Sequence, residues 1–224
     1  MTVITIESGI KIKSGSELRK LKPVLDNWIE IVREYSKAFQ NHDACWWYTE
    51  RANVGTLAVA AWRTKGWLAL EEYSTSKRGD EAGSKNGRCD LYMAKKNHGN
   101  SFAFEAKQAW QTMRSDGISK ISGRLIKARE DAGTLKRIEA ETRVAACFAI
   151  PRMPTRHASN NFDSQIEKWL NHAIKNVKWD AIAWVFPKES RQIMNEAETR
   201  IFPGVLLVLQ EKNRANKRPR DGAS

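Results

Sequence analysis

The chain has 224 residues, 41% of them hydrophobic, and carries 38 Lys and Arg against 26 Asp and Glu, a formal net charge of +12. That length suits one domain with a sizeable core, and the longest apolar runs, LAVAAW at 57–62 and GVLLVL at 204–209, fall far short of the roughly 20 residues that a membrane span needs. Cys45, Cys89 and Cys147 are widely spaced and form no CxxC pair, which argues against a disulfide framework or a cysteine zinc site and for reduced, buried thiols.

In chain order, the polar, alternating start MTVITIESGIKIK resembles neither a signal nor a transit peptide. A cytoplasmic protein is expected. Residues 2–13 read as two short strands about Ser8-Gly9 or as one extended arm. Leu18, Leu21, Leu25, Trp28, Val32, Tyr35 and Phe39 then recur at spacings of three and four, so a helix is expected over about 16–40, with Pro23 in its first turn. A second helix is expected from about Cys45 to Lys65, capped by Asp43 and stopped at Gly66. Three strand-like segments follow, WLALEEYST at 67–75, RCDLYMA at 88–94 and SFAFEAKQAW at 101–110. A long polar loop separates the first two, and KKNHGN is short enough to join the others as a hairpin.

Beyond them, Ile118, Ile121, Leu125, Ala128, Ala132 and Leu135 mark a long helix, VAACFAI at 144–150 a buried strand, and IEKWLNHAIKNV at 166–177 another helix. DAIAWVF and GVLLVLQ close the pattern as strands. Runs of this kind make an α/β protein with a mixed sheet flanked by helices. A single domain over residues 1–211 is expected, followed by a basic, disordered tail at 212–224 that holds five basic residues and one acid. Most of the positive charge therefore lies in the body of the chain, and a polyanionic partner follows.

The chemistry concentrates on FAFEAKQAW. On a strand, Glu105 and Lys107 share one face with Ala103 and Ala109, while Phe102, Phe104 and Trp110 take the other. If the hairpin pairs Ala94 with Ser101, Asp90 falls opposite Glu105 with Cβ atoms about 5 Å apart. Two opposed carboxylates repel and call for a cation between them. Glu50 joins Val54, Leu57 and Ala61 on the buried stripe of the second helix, and a buried carboxylate also needs a compensating charge. Three acids and one lysine are thus expected to converge.

This constellation resembles the PD-(D/E)XK nuclease superfamily, the restriction-endonuclease-like fold, over about residues 45–150, with Arg88-Cys89-Asp90 in place of the proline-aspartate of the name. The resemblance implies a core of helix, three strands, helix and strand, here extended by the N-terminal helix. It implies a metal-dependent deoxyribonuclease that hydrolyses DNA phosphodiesters, in the first place an endonuclease, with an exonuclease or junction resolvase as the alternatives among enzymes. Asp90, Glu105 and the Ala106 carbonyl would hold Mg²⁺, with Mn²⁺ as a substitute, and Glu50 would complete or extend the site. Lys107 would orient or deprotonate the attacking water.

The partner would be double-stranded DNA, with no membrane role, and the chain would act as a monomer or a homodimer. Lys77, Arg78, Lys85 and Arg88, from the polar loop before Asp90, are candidates for phosphate contacts. The rival reading is a non-catalytic nucleic-acid-binding or regulatory protein on the same fold. The four histidines, His42, His98, His157 and His172, have no metal spacing.

Overall fold

The amphipathic stripe near the start of the chain forms a short 3₁₀ turn, Glu17–Leu21, capped by the Ser16 side chain, and then helix α1, Lys22–Ala38, with its proline in the first turn. Leu18, Leu21, Leu25, Trp28 and Val32 are buried, whereas Phe39 lies past the helix end and is 52% exposed. These features come from a computed structural model that describes residues 5–78, 84–96, 100–113, 117–136, 140–158 and 161–212, with the backbone alone at 76–78 and 84–86. The basic tail beyond 212 lies outside the described residues.

The remaining elements are β1 (Ser8–Ile12), α2 (Glu50–Arg63), β2 (Trp67–Arg78), β3 (Ser84–Lys95), β4 (Asn100–Thr112), α3 (Ser119–Thr134), β5 (Thr142–Pro154), α4 (Phe162–Asn176), β6 (Ala181–Val185), β7 (Arg200–Ile201) and β8 (Val205–Glu211). The sheet runs β1-β6-β8-β5-β4-β3-β2, with the two-residue β7 on β5 off this path. Among the described residues, only β4 and β5 pair in parallel. This is an α/β protein with a mixed eight-stranded sheet. Within it, α2, β2, β3, β4, α3 and β5 follow one another as helix, three strands, helix and strand.

Helices cover both faces. Phe102, Phe104, Val144, Ala146, Phe148, Ala183 and Leu207 belong to one core cluster with α1 and α2. Ala109, Ala145, Cys147, Ala149, Ile182 and Val208 belong to another with α3 and α4. Strand β5 is buried on both sides, which is why its sequence reads as a continuous apolar run and not as an alternation.

Helix α2 starts later than expected. Cys45–Trp47 form a 3₁₀ turn, and the cap is Thr49, whose hydroxyl accepts from the Ala52 N–H. Asp43 does not cap; its carboxylate accepts the hydroxyls of Tyr35 at 3.0 Å and Tyr48 at 2.8 Å. The polar loop expected between the first two strands is also corrected. Strands β2 and β3 continue as a paired ribbon out to Arg78 opposite Ser84, because main-chain pairing does not need apolar side chains.

Candidate active site at the fork between β3 and β4

Strands β3 and β4 pair in the expected register, Ala94 with Ser101, but the ladder stops at Leu91 opposite Phe104. The expected pair of Asp90 and Glu105 does not form. Instead the Asp90 carboxylate accepts the Ala106 N–H at 2.7 Å. The β3 chain turns over here: Leu91 and Met93 face the α1/α2 core, while Cys89, two residues before Leu91 in the same strand, packs with Ala103, Leu135 and Ala140. Across in β2, Glu72 has φ +52, and the pairing of β2 with β3 skips Glu72 and Asp90. Opposed carboxylates would repel, whereas a carboxylate on a backbone N–H gains a charge-assisted hydrogen bond.

Two residues along β4, the Gln108 N–H donates to the Glu50 carboxylate, also at 2.7 Å. N–H groups two residues apart point to the same strand edge. Asp90 and Glu50 therefore take the two donors that a continuing β3 would have bonded, and the fork holds two carboxylates side by side. Glu50 opens α2, whose buried stripe of Val54, Leu57 and Ala61 fixes the helix on the sheet. The Gln108 side chain also donates to the Tyr48 carbonyl at 2.8 Å and anchors the approach to that helix.

Lys107 points into the same region, half-buried. Its ammonium donates to the Ala106 carbonyl at 2.9 Å and pairs with Asp131 of α3 at 2.9 Å. Burial alone opposes the charge on Lys107, but the Asp131 hydrogen bond and charge, with Glu50 and Asp90 behind them, outweigh it and raise the pKa above the usual lysine value. Lys107 is therefore a cation at neutral pH. Glu50 is shifted upward too, chiefly by burial and further by the charge of Asp90, against the opposing pull of Lys107, the Gln108 N–H and Arg124.

Glu105 is 3% exposed and lies on the α3 side, where its charge adds to burial in pushing up the pKa of the Cys89 thiol. On that face Glu105 and Lys107 separate two apolar clusters, one containing Ala103 and the other Ala109. Among the described residues, no group of three or more His, Cys, Asp or Glu side chains is placed to hold a metal ion. What the fork does offer is two carboxylates and, at Ala106, a backbone carbonyl.

Of the expected phosphate contacts, Arg88 is exposed and pairs with Glu72 at 3.1 Å. The side chains of Lys77, Arg78 and Lys85 lie outside the described residues. The sequence reading missed Asp131 and the basic residues Lys120, Arg124 and Lys127. The last three line a groove of about 410 Å³ against residues 108–110 of β4. Their signal was their spacing on the long helix, i, i+4 and i+7, a basic stripe flanking its apolar one.

The chain matches no protein-family model, no curated protein and no solved structure.

Proposed function

We propose that the protein is a Mg²⁺-dependent deoxyribonuclease of the PD-(D/E)XK type, acting as an endonuclease on duplex DNA. The observation that carries this reading is the fork, where Asp90 and Glu50 occupy neighbouring N–H groups of β4 beside the Lys107 cation. The order helix, three strands, helix and parallel strand around that fork supports it, since a restriction-endonuclease-like core has this order.

The donors suit the cofactor. Two carboxylates and a backbone carbonyl are hard oxygen ligands, and Mg²⁺ is commonly held by one or two carboxylates, with waters and substrate phosphates completing its shell. The Ala106 carbonyl already receives a cation, the Lys107 ammonium. Asp90, Glu50 and the Ala106 carbonyl would hold Mg²⁺, with Mn²⁺ as a substitute, and Glu105 is the remaining acid of the motif. When bound, the ion supplies Lewis-acid polarisation and charge neutralisation at the phosphodiester.

The chain's own groups do the rest. With its ammonium paired to Asp131 at 2.9 Å, Lys107 serves as a cation that orients the incoming water and balances charge on the phosphate. Glu50, fixed on the Gln108 N–H at 2.7 Å, holds its carboxylate beside that of Asp90 at the fork.

The test is cleavage of supercoiled and linear duplex DNA in Mg²⁺ and in EDTA, with Asp90→Asn and Glu105→Gln as controls. Magnesium-dependent nicking by the wild type, lost in both variants while their melting temperatures hold, supports the proposal. A wild type that binds DNA but cleaves none of it leaves the non-catalytic reading.

A further inference from the structure

Lys120, Arg124 and Lys127 project from α3 along one wall of the groove whose floor is Gln108 and Trp110. All three are exposed, and among the described residues none makes an ion pair. Some basic side chains elsewhere are neutralised locally, Lys22 by Asp26, Arg33 by Glu7 and Glu30, Arg191 by Asp163; what sets these three apart is that they line one groove. Three uncompensated cations on one wall of a concavity create a local field that attracts a polyanion.

The groove also leads to the fork. Gln108, on its floor, gives its N–H to Glu50, and the charge of Arg124 pulls the Glu50 pKa downward against burial. The spacing i, i+4, i+7 covers roughly 10 Å of helix. One DNA strand carries a phosphate about every 3.4 Å of duplex axis and its backbone path is longer than that rise, so the stripe faces no more than about three successive phosphates.

We infer that the α3 groove is a phosphate track, a sequence-independent site in which Lys120, Arg124 and Lys127 hold the backbone of one nucleic-acid strand and lead it to Asp90 and Glu50. The inference deepens the nuclease reading and rests on it for the direction in which the strand runs. Gly123 stands between the basic residues in this wall, and a Cβ there meets no atom within 4 Å. A side chain at this position enters the groove and leaves the fold alone.

The experiment measures anisotropy of a fluorescent 20-base-pair duplex, in EDTA so that nothing is cleaved, across a salt series. It compares the wild type with Lys120→Ala/Arg124→Ala/Lys127→Ala, with Gly123→Glu, and with Lys37→Ala/Lys175→Ala/Lys188→Ala, which removes equal charge from exposed positions outside the groove. The groove triple variant is expected to lose at least tenfold in affinity at 0.1 M salt and about 2.7 from the magnitude of the log–log salt slope, at about 0.9 per phosphate contact. Gly123→Glu should weaken binding at a melting temperature no lower than that of the wild type. Equal effects of the two triple variants, or wild-type binding by Gly123→Glu, overturn the inference, as does groove-dependent binding of poly-glutamate without binding of DNA.

Cleavage in Mg²⁺ is scored separately. Wild-type cleavage with groove variants that bind normally removes the track and keeps the nuclease. Absent cleavage with groove-dependent binding does the reverse.

Discussion

The Lys107 ammonium lies 2.9 Å from the Asp131 carboxylate, so a strand residue at the fork is held in its charged form by a helix residue from the next element in the chain. Under the proposed function, Lys107→Ala should slow single-turnover cleavage by about two to four orders of magnitude, the scale of a positioned catalytic group, while duplex affinity stays within a few-fold. Lys107→Arg should keep more activity than Lys107→Ala, because the group works as a cation. Full activity in Lys107→Ala would remove it from the mechanism.

That ion pair also has a pH signature. A lysine whose pKa is raised by folding contributes stability that is fully present below its unfolded value and lost as pH rises through the folded one. Asp131→Asn should therefore melt below the wild type at neutral pH, and the gap should close as pH climbs past the usual lysine range. Thermal melts of both proteins between pH 7 and 11.5 measure it; a gap that does not change with pH would mean that Asp131 acts through packing alone.

Glu50 has the opposite sign. Folding raises its pKa, chiefly by burial, so stability falls as pH rises from the usual carboxylate value through the raised one and stays lower above it. Glu50→Gln keeps an acceptor for the Gln108 N–H but has no charge to bury. It should melt at or above the wild-type temperature at pH 7, match the wild type at pH 3.5, and cleave no DNA. A lower melting temperature at pH 7 would show that the Glu50 charge is structurally favourable.

At Gly204, just before β8, an added Cβ would overlap the Val185 carbonyl and lie 2.9 Å from the Phe186 Cα, both backbone atoms. A backbone cannot move aside as a flexible side chain does. Gly204→Ala should cost about 3 kcal/mol, the upper end for overpacking, read from urea unfolding. Gly123→Ala, in open space on α3, should be neutral or stabilising by about 1 kcal/mol through helix propensity.

Cys45, Cys89 and Cys147 are buried, and burial pushes each thiol up to about 12. The thiolate is the reactive form. A chromogenic disulfide reagent at pH 8 should find essentially no reactive thiol in the native protein and three in urea. Rapid reaction of one thiol in the folded state would contradict its burial.

Much of this arrangement was legible in the sequence because it depends on local periodicity. The three-and-four spacing from Leu18 to Val32 determined the buried face of α1, and alternation in FAFEAKQAW put Phe102 and Phe104 opposite Glu105 and Lys107. The short hairpin determined the register that pairs Ala94 with Ser101. Glu50 on the buried stripe of its helix followed from the same spacing.

What only the tertiary structure decided is where those periodicities break and which distant residues meet. Extrapolating the register placed Asp90 opposite Glu105, yet the ladder ends one pair earlier and Asp90 turns to the Ala106 N–H. Repulsion between two carboxylates is a non-local cost that no alternation pattern records. Asp43, by sequence a helix cap, is taken by Tyr35 and Tyr48 because the α1 end packs beside it. Asp131 and the stripe of Lys120, Arg124 and Lys127 share one polar face of the long helix, which periodicity alone does not distinguish from a solvated one. They acquire a partner and a groove only because the parallel crossover from β4 to β5 lays α3 back across the sheet; periodicity names the face of a helix, and the crossover decides what that face meets.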